Sequence, residues 1–179
     1  YTIETPEGVK QLQDDAREAG KSISAFCLVN EFDARPNEEI AFTSKVAEIA
    51  ADMKIPAVRL DMVPHKHQGD AYLKLAIDAG RRIVKLTEGL SVRFGLENHS
   101  NTTNNIEFLR KLFDGIGTKR FGLTLDTANF YWYGYPLSQL YDIFREYAPY
   151  VCHTHCKSIA YPEAEREKKR PMGWEYEKY

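Results

Sequence analysis

The chain repeats one unit, in which a short apolar strand is followed by a polar loop and an amphipathic helix, and this repeat limits the folds that the chain can adopt. Apolar periodicity predicts strands at residues 23–30, 57–62, 91–97, 121–126 and 150–156. Helices are predicted at residues 6–19, 37–53, 70–88, 103–114 and 137–147. Strict alternation of strands with helices of this length favours a parallel β-sheet.

Two architectures contain a sheet of this kind. The first is a TIM-type (β/α)8 barrel, which needs eight strands, so that five units form an incomplete barrel. The second is an open Rossmann-like sheet, which carries a glycine-rich phosphate loop after a strand. No such loop follows any predicted strand. We therefore predict a single α/β domain over residues 1–179, a TIM-type barrel with about five βα units that lacks the first strands and the last.

The composition disfavours several classes of function. A net charge of −2 and a pI near 6.2 provide no basic surface for nucleic acid. No apolar run approaches the roughly 20 residues of a membrane span. Three cysteines do not form a disulfide framework, so we expect a reducing compartment and a cytoplasmic protein, with Cys152 and Cys156 as small buried residues. A start at Tyr1 without an initiator Met indicates an internal piece of a longer protein.

Three predicted strands end in residues that can bind a metal ion: Glu97, Asp126 and His155. The three positions are separated by 29 residues each, or one βα unit, so they should lie at one height on neighbouring strands. In a barrel, the carboxyl ends of the strands form the rim at which active sites assemble. The spacing therefore predicts that these side chains lie close together.

Strand alternation gives an independent test of this arrangement. Glu97 and Asp126 each fall on the less apolar face of their strand, and the apolar face must pack against the helices. Both carboxylates should therefore point into the barrel. His153 and His155 share one side of their strand, which predicts His155 at the rim and His153 one layer below it. Two carboxylates and one imidazole suit a single divalent ion such as Mn²⁺, Mg²⁺, Co²⁺ or Zn²⁺.

Each of the three residues has a simpler interpretation when it is taken alone. A carboxylate at the end of a strand is often a helix N-cap or a surface charge, and a single histidine is often a hydrogen-bonded core or surface group. The shared register and the equal spacing favour the metal site over these interpretations.

Three segments also carry a resemblance: LENHSN at 96–101, LDTANFYWYG at 125–134 and HTHCKS at 153–158. In this order, they resemble motifs of the sugar phosphate isomerase/epimerase group of the xylose isomerase-like barrel superfamily. The resemblance implies that Glu97, Asp126 and His155 bind one divalent metal ion together with a Glu on the last strand, and that Lys157 matches the motif lysine. It also implies that the five strands are the third to seventh of eight.

The chain departs from those motifs at three points. Asn129 stands where many members of the group have a histidine, and Ser158 stands where an Asp is common. No match to the last-strand Glu is visible, although that residue is both a ligand and a candidate acid/base in the group.

The resemblance and the predicted site together imply a function. We expect an isomerase or epimerase that acts on a sugar, sugar phosphate or related polyol through an enediolate-type proton transfer. Glu97 is the visible base, and Lys157 neutralises oxyanion charge. The predicted substrate contacts are Asn98, His99, Asn129, His153 and Trp132, of which Trp132 belongs to an aromatic loop suited to the apolar face of a sugar.

Other functions remain open. A dehydratase could use the same intermediate. A metal hydrolase of the endonuclease IV type shares the barrel but uses more histidines than the five present here. A barrel that binds a sugar without converting it is the third alternative. The resemblance is also compatible with a homo-oligomer.

Overall fold

The computed structural model of the protein describes residues 3–174. These residues contain five strands and six α-helices, with at least one α-helix between successive strands. The strands are β1 (Phe26–Cys27), β2 (Ala57–Leu60), β3 (Arg93–Glu97), β4 (Phe121–Asp126) and β5 (Val151–His155). The helices are α1 (Pro6–Glu18), α2 (Pro36–Asp52), α3 (Gly69–Leu86), α4 (Ile106–Ile116), α5 (Asn129–Tyr133) and α6 (Leu137–Tyr147).

The five strands form one parallel sheet in the order of the chain, β1-β2-β3-β4-β5. This order makes each strand a neighbour of the next, with at least one helix in every connection. The sheet is also curled, as the distance between its first and last strands shows: the Cys27 thiol of β1 lies 4.0 Å from Nε2 of His155 on β5. The structure is therefore half of a barrel, which confirms the predicted incomplete TIM barrel over the open sheet.

Most differences from the predicted boundaries have local causes. Strand 23–30 shortens to the two residues of β1, which pairs with β2 alone among the described strands and leaves Val29 81% exposed. The helix predicted from residue 103 begins at Ile106 instead. The side chain of Asn105 caps it by accepting hydrogen bonds from the backbone of residues 107 and 108, and Gly117 ends it at φ 75°. The predicted aromatic loop contains the short helix α5.

The outer layer of the barrel is closely packed. Phe94, Leu96 and Leu123 on the strands are fully buried in the main hydrophobic cluster. Between α3 and α4, a Cβ atom at Gly80 would lie 2.4 Å from Cδ1 of Ile116. The two helices therefore approach each other more closely than a larger residue would allow.

The inner face of the sheet is lined by smaller residues. A Cβ atom at Gly95 would meet Oγ1 of Thr124 at 2.4 Å and the thiol of Cys152 at 2.6 Å. Below them, the Arg93 guanidinium donates to backbone carbonyls of Tyr150 and Val151. The alternation predicted from the sequence therefore places the residues of this face inside the barrel.

The cysteines follow the prediction only in part. Cys152 is half-buried in the barrel interior, whereas Cys156 is exposed, so its predicted burial is wrong. Cys156 comes immediately after the end of β5, where the chain has left the packed sheet. Within residues 3–174, no helix is both long enough and apolar enough to cross a membrane.

Candidate metal centre

The structure brings Glu97, Asp126 and His155 together at the rim of the half-barrel. Each is the last residue of its strand, β3, β4 and β5 respectively. One ligand atom from each residue lies within 4.8 Å of the other two. Glu97 is 4% exposed and Asp126 is fully buried, so the two acidic groups face each other largely out of water. The convergence of the three side chains is therefore as the sequence predicted.

The two oxygens of Glu97 have different neighbours. Oε1 lies 3.0 Å from Nδ1 of His155, and Oε2 accepts hydrogen bonds from the guanidinium of Arg59. Burial alone raises the pKa of Glu97, but the hydrogen bond to His155 and the charge of Arg59 outweigh it and hold the pKa below its ordinary value. Glu97 is therefore held in its ionised form, as a metal ligand must be.

Asp126 is oriented by the turn that follows it. Its Oδ1 accepts hydrogen bonds from the backbone N–H groups of Ala128 and Asn129, at 3.0 and 3.2 Å. Its Oδ2 lies 2.6 Å from Nζ of Lys157. The turn thus uses one oxygen, while the other is held by a flexible cationic side chain.

This arrangement fits a divalent ion. Neighbouring ligands of a six-coordinate ion with bonds of about 2.1 Å are about 3 Å apart, and the Glu97 Oε1 to His155 Nδ1 distance is 3.0 Å. Two buried carboxylates facing one imidazole also form a donor set of the kind that Mg²⁺, Mn²⁺ and Zn²⁺ accept.

A cavity of about 410 Å³ is lined in part by the three residues that contact the Asp126 carboxylate, Ala128, Asn129 and Lys157. Its lining includes four predicted site residues, His99, Asn129, Trp132 and Lys157, together with Ala128, Ser158 and Ile159. The structure therefore places an indole, an ammonium group, an imidazole and an amide around one space next to the acidic cluster.

Two predicted substrate contacts have other places. Asn98 is fully buried and joins β3 to β4: its Oδ1 accepts from the backbone of Asp126 at 2.8 Å, and its Nδ2 donates to Asn104 and to the carbonyl of Asp126. Its amide is thus occupied by contacts within the protein, and its predicted contact with substrate stays a prediction. His153 lies one layer below His155, as expected, with its ring perpendicular to the His155 ring at 5.4 Å, and it does not line the cavity.

Sequence reasoning missed Arg59, the partner of Glu97. The signal was present, because Arg59 interrupts the otherwise apolar start of the segment AVRLDM, where it is 8% exposed. A buried cation needs a charged or hydrogen-bonding partner. The alternation of side chains along β2 directs Arg59 to the inner face of the sheet, beside the residues of β3 that also point inward. Its neighbour Asp61, at the same rim, has an Oδ1 atom that lies 3.5 Å from Nδ1 of His99.

Other polar residues near the ends of β1 and β2 have structural roles. Asn30 is buried and donates to Glu39 of α2. The backbone N–H groups of His65 and His67, together with that of Lys66, donate to one oxygen of Asp33. The loop after β2 is therefore held by these backbone groups, and the His67 imidazole lies near the same oxygen, with its Nδ1 at 3.8 Å.

Solved structures with the same fold are only distantly similar in sequence. A xylose isomerase-like TIM barrel protein from Mycobacterium smegmatis, in complex with magnesium, has a TM-score of 0.75 at 13% identity, over 90% of this chain and 60% of that one. The IOLI protein with a bound zinc atom has a TM-score of 0.70 at 18% identity, over 94% and 62%. The 3-keto-D-glucoside 4-epimerase YcjR from E. coli has a TM-score of 0.71 at 12% identity, over 85% and 65%.

The chain thus spans about three-fifths of the length of these proteins. No curated protein matches it. A family model described as xylose isomerase-like TIM barrel matches residues 4–177, which is nearly the whole chain. By this match, and in agreement with its half-barrel of parallel strands, the chain belongs to the xylose isomerase-like TIM barrel family.

Proposed function

We propose that this protein is a divalent-metal-dependent isomerase or epimerase of a sugar, sugar phosphate or related polyol. The observation that carries the proposal is the convergence of Glu97, Asp126 and His155 within 4.8 Å at the barrel rim. Its neighbours in fold include an epimerase of a keto-sugar and proteins solved with zinc or magnesium. The proposed metal ligands are these three residues, and the whole activity belongs to a protein of the length of those neighbours.

The chemistry follows from the site. A bound divalent ion would polarise the carbonyl and adjacent hydroxyl oxygens of the sugar, which acidifies the C–H bond that must exchange its proton. Glu97 and Asp126 would supply the negative charge that holds such an ion, and His155 would supply an imidazole nitrogen. Lys157 lies in the cavity lining, where its ammonium group can neutralise negative charge that develops on a substrate oxygen.

The cavity suits a polyol. The indole of Trp132 offers a flat surface for the C–H face of a sugar, and His99 and Asn129 offer polar groups for its hydroxyls. The general-base role predicted for Glu97 is less well supported than its ligand role. A base that works near neutral pH has its pKa raised toward that pH, whereas the pKa of Glu97 is lowered by His155 and Arg59 against the effect of burial.

Metal binding tests the proposal directly. We expect the purified protein to bind one Mn²⁺ per chain in calorimetric titration, and Glu97→Gln and His155→Ala to weaken binding at least tenfold, because each removes a donor atom. The matched controls are Glu107→Gln and His65→Ala, which change exposed residues of the same type that are not among the three proposed ligands. Binding that survives both site variants unchanged would refute the proposed ligand set.

Turnover separates the proposed enzyme from its alternatives. A coupled assay should detect interconversion of ketose and aldose, or of epimers, that needs added metal and is lost in Glu97→Gln. Stoichiometric metal without conversion of any polyol would indicate a barrel that binds sugar without changing it. Cleavage of abasic DNA would indicate a hydrolase.

A further inference from the structure

We propose that Arg59 is a positioning residue that restricts Glu97 to one donor oxygen and thereby sets the geometry in which the metal ion binds. This inference rests on the proposed metal site and deepens it. It concerns a residue of β2, one strand before the three strands that carry the ligands.

Arg59 is fixed by several contacts inside the barrel. Its Nε and Nη2 atoms lie 2.6 and 2.5 Å from Oε2 of Glu97, and its Nη1 donates to the carbonyl oxygen of Leu28 at 2.6 Å. The same Nη1 lies 3.7 Å from Oδ2 of Asp61. The guanidinium thus spans the space from the chain beyond β1 to the end of β3, and its planar shape allows little rotation.

These contacts make the two oxygens of Glu97 unequal. Oε2 receives the charged donors of Arg59 in a buried setting, while Oε1 faces Nδ1 of His155 at 3.0 Å. A metal ion that took both oxygens would have to break buried, charge-assisted hydrogen bonds, which are the strongest that side chains form. The geometry therefore leaves Oε1 as the donor and fixes its direction.

The other cation of the site is held in a different way. Lys157 contacts Oδ2 of Asp126 through one ammonium group at the end of a side chain that is 57% exposed. A flexible, exposed ammonium can move into solvent when an ion takes Asp126, whereas the buried guanidinium of Arg59 cannot. We therefore infer that Arg59 stays in place when metal binds and that Lys157 is displaced.

The two cations provide a matched test, because removing either one makes the site more negative. A change of charge alone would tighten the binding of a cation in both variants. Loss of orientation would instead weaken binding, and changes in residues that orient metal ligands typically cost 10- to 100-fold in affinity. An increase in metal affinity would therefore indicate an effect of charge alone, and a decrease would indicate that the residue orients a ligand.

The experiment titrates Mn²⁺ into the wild type, Arg59→Gln, Arg59→Lys and Lys157→Met by calorimetry. Arg59→Gln should bind Mn²⁺ at least tenfold more weakly than the wild type, and Lys157→Met should bind it equally or more tightly. Arg59→Lys keeps the charge without the planar pair of donors and should also bind more weakly. Arg59→Lys replaces Arg59→Gln as the test variant if circular dichroism shows that Arg59→Gln does not fold.

A Co²⁺ spectrum gives a second readout that a change in stability would not alter. Release of Oε2 in Arg59→Gln should let Glu97 bind through both oxygens, which raises the coordination number and lowers the intensity of the visible bands. Unchanged Mn²⁺ affinity with an unchanged Co²⁺ spectrum in both Arg59 variants overturns the inference, as does equal weakening in Lys157→Met. A wild-type protein that binds no Mn²⁺ would instead overturn the proposed function itself.

Discussion

Single side chains hold the two acidic residues of the site in register. Asn98 follows Glu97 directly, and its side-chain amide forms two hydrogen bonds with the backbone of Asp126, 28 residues later. Its Nδ2 donates to the carbonyl oxygen of Asp126, and its Oδ1 accepts from the N–H group of Asp126. A third hydrogen bond joins it to Asn104, which is also fully buried. The side chain therefore replaces the strand-to-strand bonds that would otherwise continue the sheet beyond the two carboxylates.

We expect Asn98→Ala to lower the free energy of unfolding by about 2–4 kcal/mol, because it leaves a buried N–H and two buried oxygens without their partner. Urea denaturation measures this loss. The control is Asn101→Ala, an exposed asparagine of the same loop, which should change stability by less than about 0.5 kcal/mol. Equal stability of the two variants would mean that the amide is not the bridge we describe.

At the scale of elements, the loop after β2 is held by the loop after β1. The buried Oδ2 atom of Asp33 accepts hydrogen bonds from the backbone of His65, Lys66 and His67 at 2.8, 2.5 and 3.0 Å. Burial alone raises the pKa of Asp33, but these three N–H groups outweigh it and lower the pKa. The carboxylate thus fastens one rim loop to another.

The lowered pKa predicts a pH-dependent effect of Asp33→Asn. The ionised carboxylate stabilises the folded state by about 1–3 kcal/mol relative to the amide. This advantage is complete at pH 7, above the ordinary pKa of an Asp, and is lost as the pH falls below about 4 through the lowered folded-state pKa. Unfolding curves of the two proteins at pH 7, 5 and 3 should therefore converge toward acid, and a constant gap would contradict this account.

At the scale of the whole molecule, the five strands of residues 3–174 enclose the interior of half a barrel. Cys27 lies on β1 and faces that interior, where its thiol is 4.0 Å from His155, yet it is exposed. Cys152 lies deeper on β5, and burial raises its pKa to about 11. The degree of opening of the half-barrel should therefore be visible in the reactivity of its thiols.

We expect a disulfide reagent at pH 8 to modify Cys156 fastest, Cys27 next and Cys152 slowest, because a thiol reacts as its accessible thiolate. Burial also raises the pKa of Cys27, which is nevertheless exposed, so this thiol should react at an intermediate rate. The variant Cys27→Ser should remove the intermediate phase and leave the slowest phase intact. A Cys27 that reacts as slowly as Cys152 would show that the interior around Cys27 is closed in solution.

A feature of this protein could be predicted from the sequence when the residues that produce it lie close together in the chain or at a regular spacing. The alternation of polar and apolar residues within β3 and β4 was enough to place Glu97 and Asp126 inside the barrel, and the spacing of one βα unit brought His155 beside them. Boundaries were less accurate where an edge strand or a cap decided them, as at β1 and at Asn105.

The period of polar and apolar residues and the spacing of the strands were enough to predict the half-barrel, the inward direction of its acidic residues and the level at which they meet, because both are local properties of the chain. Tertiary packing established the remaining contacts, in which Arg59 holds Glu97, Asn98 bridges two strands and Lys157 rests on Asp126. The two residues of each pair are 28 to 38 positions apart in the chain, and their side chains meet across the rim of the barrel. The curl of the sheet and the direction of each side chain determine which distant residues come into contact. Neither can be read from the pattern of neighbouring residues in the sequence.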